Sequence, residues 1–331
     1  MNGFLVAFQS RKRESTRVKL PNFLIIGAAK AGTTSLYYYM KQHPQIFMSK
    51  IKEVNYFAYE GPNTKTFLGE LAVNDFDITT YEEYIDLFKE VRNESVIGEA
   101  SPIYLESLVS ADRIRKLLPK AKLLVILRNP IEKAFSDYTM AVRNCRQTLG
   151  IEEALVEESH HVQVGFYYDK LKRYFDLFPR NQIKVCLYDD LKRDTLSLVQ
   201  EIYDYLDVDN DFEPDLSHKN VGGFPKNKAL NSILVKIGRN NLIKTITPNW
   251  LSDIYHVIYN KNLEKKIELP QNIRTNLIYL YEEDILKVQD LIQRDLESWL
   301  PPNKRKINKS SLSEEEKEML KERHRKLGYI K

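Results

Sequence analysis

The stretch "IIGAAKAGTTSLYYYM", Ile25 to Met40, decides the fold. An apolar run enters a glycine-containing turn, and the turn enters a segment whose Leu36, Tyr39 and Met40 recur at i, i+3 and i+4 until His43-Pro44 stops it. A strand feeding a helix through a tight turn is the opening unit of a parallel α/β sheet. The turn nearly spells a Walker A loop, in which lysine directly follows the second glycine. Here Lys30 stands two residues before Gly32, and Thr33, Thr34 and Ser35 follow. Such a turn offers backbone N–H groups, the positive end of a helix dipole, one ammonium and three hydroxyls. Taken alone, it reads either as an anion cradle or as an ordinary turn beside a surface lysine.

The same alternation continues along the chain. Apolar runs at Phe23 to Ile26, Ile46 to Met48, Ser95 to Gly98, Lys122 to Leu127 and Ile183 to Tyr188 read as five strands. Between and after them lie segments of helical spacing. Asn129 and Pro130 suit the cap and first position of a helix over "NPIEKAFSDYTMAVR". "GFYYDKLKRYFDLFP" and "DLKRDTLSLVQEIYDYL" each read as one amphipathic helix, the second with Leu191, Leu198, Ile202 and Leu206 on one face. "GGFPKNK" reads as a loop, and "NIRTNLIYLYEEDILKVQDLIQRDLESWL" as one long helix ended by Pro301-Pro302. The expected architecture is α/β: a P-loop-like parallel sheet of about five strands flanked by helices, with a helical C-terminal elaboration. Its domain is expected over residues 20–302, between a flexible arm (1–19) and a charged tail (303–331).

Composition bounds the partners. Of 331 residues, 43% are hydrophobic and 29% charged, as in ordinary globular proteins. Fifty basic against 46 acidic residues leave +4, too little to imply a nucleic-acid partner. Two cysteines, Cys145 and Cys186, exclude a disulfide framework or a cysteine-rich zinc site. With neither a secretory-type leader nor an apolar run of membrane-spanning length, a cytoplasmic protein without a membrane span is expected.

A second anion-seeking feature lies in "LRNPIEKAFSDY", where Arg128 closes the fourth strand and Ser136 follows on the next helix. Ligands of open α/β sheets gather at the carboxyl ends of the strands, where Arg128 and the Lys30 loop both fall. A guanidinium there forks onto a phosphate, or else pairs with a nearby carboxylate as a purely structural arginine.

Together, "AKAGTTSLYYYM" and "LRNPIEKAFSDY" resemble the 5′-phosphosulfate loop and 3′-phosphate motif of sulfotransferases that use 3′-phosphoadenosine 5′-phosphosulfate, PAPS. The similarity is to the branch containing bacterial sulfotransferases and the heparan sulfate sulfotransferase domains. "GEASPIYL", "GFYYDKLKRYFDLFP" and "RDLESWL" stand in that family's order as well. The resemblance implies that the N–H groups of Lys30, Ala31, Gly32, Thr33, Thr34 and Ser35 hold the 5′-phosphate, and that Lys30 reaches the sulfuryl end. Arg128 and Ser136 would grip the 3′-phosphate, and no metal is required.

It further implies a base. "SKIKEVNYF" resembles the family's lysine-glutamate segment, which makes Glu53, beside Lys52, the group that takes the acceptor's proton; partial burial is expected to balance its charge and basicity. Val54, Asn55, Ala29 and Ala100 depart from residues frequent in the heparan-modifying relatives, which casts doubt on a heparan-like acceptor. His160-His161 reads as an exposed polar turn, and a histidine from that segment is the reserve base. Lys226 in the late basic loop is either a nucleotide contact or a solvated charge, and Tyr104 a pocket residue. The expected partner is a hydroxyl-bearing, carbohydrate or carrier-bound acceptor; segments 61–80 and 144–164 are expected to face it. An ATP-dependent kinase with an altered loop and a non-catalytic nucleotide-binding scaffold stay open as rivals, and the sequence does not fix the oligomeric state.

Overall fold

A computed structural model describes residues 19–59, 78–217, 223–239, 249–264 and 268–301. The expected arm before Lys19, most of segment 61–80, which was expected to face the acceptor, and the charged tail lie outside these residues.

The five expected strands form one sheet: β1 Phe23–Gly27, β2 Ile46–Met48, β3 Val96–Ala100, β4 Lys122–Leu127 and β5 Ile183–Leu187. The order is β2-β3-β1-β4-β5, and every pairing is parallel, with Phe23 opposite both Gly98 and Lys122. β1, β3 and β4 are almost wholly buried, as strands covered by helices on both faces must be. Because β3 is followed by β4 on the far side of β1, the strand order reverses beside β1. In open α/β sheets such a reversal is where ligands gather, at the strands' carboxyl ends.

Thirteen α-helices accompany the sheet among the described residues: α1 Thr33–Gln42, α2 Tyr81–Asp86, α3 Ile103–Glu106, α4 Ser110–Leu117, α5 Pro130–Arg143, α6 Ile151–Ala154, α7 His160–Gln163, α8 Tyr168–Leu177, α9 Tyr188–Arg193, α10 Thr195–Leu206, α11 Lys228–Arg239, α12 Asn249–Lys261 and α13 Gln271–Ile292. None is long and apolar enough to cross a membrane. α5 starts as expected, with the Asn129 side chain accepting the Ile131 N–H and Pro130 in the first turn.

Three segments differ from expectation, each for a local reason. The helix expected from Asp190 to Leu206 breaks at Asp194, whose backbone is extended and whose carboxylate accepts the Ser197 N–H at 3.0 Å. Aspartate gains more from capping a new helix than from continuing the old one. Leu191, Leu198, Ile202 and Leu206 are all buried even so. The long C-terminal helix stops at Ile292, with Gln293 left-handed, well short of the prolines. The chain turns there because Leu296 and Trp299 bury themselves, and the Trp299 Nε1–H donates to Asp189 at 2.8 Å. In the expected loop, β6 Phe224–Pro225 pairs antiparallel with β7 Leu263–Glu264.

Candidate functional site

Beyond β1, the Ala28 N–H is held by the Ile126 carbonyl at 2.8 Å, so the loop hangs from β4 as well as β1. Lys30 and Gly32 then adopt left-handed backbone, φ 65 and 104. Gly32 is required: a Cβ there would lie 2.7 Å from Leu191 Cδ2, and its φ is one side chains avoid. As the N-cap of α1 it brings no side-chain hydrogen bond, so the amides of the first turn keep their donors turned outward.

The Lys30 side chain reaches α5, where Nζ lies 3.3 Å from the Met140 sulfur. A thioether is a weak acceptor and solvates an ammonium poorly. Burial, joined by the Arg143 and Arg128 charges and opposed by Asp137 and Glu53, lowers the Lys30 pKa from 10.5 to about 8. Net positive charge thus accumulates where an anion would relieve it.

Arg128 is tied to the same loop. Its Nη1 donates to the Lys30 carbonyl at 3.1 Å, its guanidinium lies 4.9 Å from the Tyr188 ring centroid, and its own carbonyl accepts the Tyr167 hydroxyl at 2.9 Å. Asp189 sits nearby: burial alone would raise its carboxyl, but hydrogen bonds from Lys192 and Trp299, with the Lys192 and Arg128 charges, hold it below the usual range. Its hydrogen-bond partners are Lys192 and Trp299, so Arg128 is not spent in a carboxylate pair with it. Half-buried Ser136 lies one turn before Met140, on the α5 face that meets Lys30.

Glu53 arrives from the other side. The chain after β2 crosses the end of β3, with the Ser49 N–H on the Gly98 carbonyl and the Glu53 N–H on the Ala100 carbonyl, both at 2.8 Å. The Asn55 N–H donates to Ser101 Oγ at 3.0 Å. Glu53 pairs with Lys52, and its side chain is 54% exposed, more open than the expected partial burial. Lys30 feels its charge and Arg128 is bonded to the Lys30 carbonyl, so all three gather at the carboxyl ends of the strands.

Sequence reasoning missed what lies beneath. Glu99, fully buried on β3, accepts the Ser101 and Tyr104 hydroxyls at 2.7 Å each. Burial pushes its pKa up to about 7, against the pull of hydroxyls from Ser101, Tyr104 and Tyr84. The signal was available: an acid inside "VIGEA", a run expected to end at Gly98. Tyr104, expected in a pocket, is instead fully buried with its hydroxyl committed to Glu99.

A second network lines α5. Asp137 lies 2.6 Å from His161 Nδ1, and both are buried side chains. Burial would raise Asp137, yet its hydrogen bond to His161 and the Lys133 charge hold it low. The expected exposed polar turn is instead the short helix α7: His160 at its start is exposed, whereas His161 packs inward against Asp137. Lys133 is fully buried, donates to the Val164 carbonyl at 3.0 Å and is pushed down to about 8 by burial. Lys133, Asp137 and Met140 are spaced i, i+4, i+7, a helical face visible in the sequence. Lys226 is exposed and donates to the Lys261 carbonyl at 3.1 Å.

A model described as the sulfotransferase family matches residues 21–214. The membrane-associated sulfotransferase kil1 of Dictyostelium discoideum is 35% identical over 124 residues, covering 38% of this chain and 24% of its own length. The human bifunctional heparan sulfate N-deacetylase/N-sulfotransferase 3 is 26% identical over 217 residues, covering 59% of this chain and 23% of its own length. The chain thus spans about a quarter of the length of these curated relatives. Among solved structures, a sulfotransferase from Alicyclobacillus acidocaldarius is similar with a TM-score of 0.66 at 31% identity, covering 85% of this chain and 99% of that one.

Proposed function

The chain belongs to the sulfotransferase family, and we propose that it moves a sulfuryl group from PAPS to a hydroxyl, or an amine, of a carbohydrate or glycoconjugate. One observation carries the reading. Lys30 and Arg128, at the ends of adjacent strands and joined by a hydrogen bond, form a cationic pair beside the uncapped first turn of α1.

In this reading the amides from Lys30 to Ser35 receive the 5′-phosphate, and Arg128 with Ser136 the 3′-phosphate. The acceptor oxygen attacks sulfur in line while the bond from sulfur to the bridging phosphate oxygen breaks. Charge grows on that bridging oxygen, and Lys30 stabilises it more in the transition state than in the ground state. Glu53 takes the acceptor proton, leaving adenosine 3′,5′-bisphosphate and the sulfated product. Lys226, with its ammonium on Lys261, enters this scheme only if the late loop moves over the nucleotide. The human relative, by its name a heparan sulfate N-sulfotransferase, supports a carbohydrate acceptor; a carrier-bound or small-molecule hydroxyl is the alternative.

The test is a thermal-shift titration with adenosine 3′,5′-bisphosphate, against ADP and ATP with magnesium, repeated on Arg128→Ala. Ligand at a hundred times its Kd adds about 2.7 kcal/mol. A shift specific to the bisphosphate and weakened in the variant is expected. A shift with ATP and magnesium alone would overturn the donor assignment.

A further inference from the structure

The late helices α11 and α12, which pack against each other, are built unlike the helices that cover the sheet. Their inner side is ordinary: Leu234 and Val235 are buried, and the Tyr255 hydroxyl donates to the Leu234 carbonyl at 3.2 Å. Their outer side is not. Leu230, Ile233 and Ile237 on α11 are exposed at i, i+3 and i+7, Ile233 by 57%; Ile254, Val257 and Ile258 on α12 are exposed too, Val257 by 52%. Single exposed aliphatics are unremarkable, but two helices each carrying an apolar stripe to solvent mark an interaction surface.

The charges around the stripes say what covers them. Among the described side chains beside them are four lysines, Lys226, Lys228, Lys236 and Lys261, all exposed. In a two-fold dimer the patch would meet itself and set lysines against lysines. An anionic bilayer instead accepts the aliphatic stripes between its headgroups and supplies the missing negative charge to the lysines.

We infer that α11 and α12 form a membrane-docking helix pair that lies in the surface of an anionic lipid bilayer without crossing it. The pair is fixed to α5: buried Asn231 donates to the Arg143 carbonyl at 2.7 Å, and Phe224, just before α11, packs on Tyr138 with ring centroids 5.9 Å apart. Docking therefore holds the end of α5, which carries Met140 and Arg143, beside the lipid headgroups. This surface stands independently of the donor chemistry proposed above.

The test is co-sedimentation of the full chain with vesicles of phosphatidylcholine alone and of phosphatidylcholine and phosphatidylglycerol in equal parts, with thermal melts and size-exclusion chromatography alongside. The chain is expected to pellet with the mixed vesicles, to bind phosphatidylcholine alone roughly tenfold more weakly, and to detach as salt rises. Ile233→Asp with Ile254→Asp, and separately Lys228→Glu with Lys236→Glu, should each cost roughly tenfold or more in vesicle binding with an unchanged melt, since every altered side chain is exposed. Three outcomes overturn the inference: no association with the anionic vesicles, equal binding by both variants, or a solution dimer that Ile233→Asp with Ile254→Asp dissociates.

Discussion

Replacing Lys30 by methionine is expected to make the protein more stable and less active at once. Methionine keeps the unbranched stem and places a thioether where the ammonium now faces Met140. In the folded protein the Lys30 pKa falls from 10.5 to about 8, chiefly through burial and the Arg143 charge. At about 1.4 kcal/mol per pH unit, holding that proton on the buried ammonium costs on the order of 3 to 4 kcal/mol. The sign follows from proton counting. Between pH 8 and 10.5 the unfolded chain binds the lysine proton and the folded chain releases it, so wild-type stability rises with pH across this window. Below pH 8 both states are protonated and the penalty is felt in full. Lys30→Met removes it, so urea denaturation at pH 7 should show a gain of that size, shrinking as pH approaches 10.5. Turnover should fall by a hundredfold or more, on the scale of losing one preorganised transition-state donor. A variant less stable than wild type at pH 7, or a stability difference unchanged between pH 7 and 10, would refute the reasoning.

Glu53→Gln should keep the thermal shift with the bisphosphate and lose about a hundredfold in turnover; near-normal turnover would remove Glu53 from the base role. Gly32→Ala, which drives a methyl to 2.7 Å from Leu191 and disfavours φ 104, should lower the melting temperature by several degrees and weaken bisphosphate binding in the same titration. Glu99 is protonated up to about pH 7 when folded but only to about 4.5 when unfolded, so it makes wild-type stability fall between those values as pH rises. Glu99→Gln should flatten that part of the stability profile in denaturation series across pH, and a profile as steep as wild type would show that another group sets it.

The sheet was legible because its five strands are short apolar runs with polar ends, and parallel strands buried on both faces look like nothing else at that length. Lys30, Arg128 and Glu53 were legible as candidates because each follows a strand at the sheet's carboxyl edge. Where periodicity was the only guide, boundaries slipped: the pattern of Leu191, Leu198, Ile202 and Leu206 runs through Asp194, although that aspartate caps a new helix. The stop at Ile292 was invisible because it answers to Asp189, more than a hundred residues earlier in the chain. Pairings between distant residues were unreadable for the same reason: nothing local to His161 announces Asp137.

The tie between Gly32 and Leu191 sets a lower limit on how short a working version of this protein can be. Leu191 belongs to α9, whose Tyr188 underlies Arg128 and whose Asp189 and Asp190 are held by Trp299 and Arg294. The Lys30 loop is therefore buttressed by residues some 270 positions downstream. A fragment cut at residue 214, where the family match ends, retains Lys30, Glu53, Arg128 and Ser136 yet loses the brace behind them.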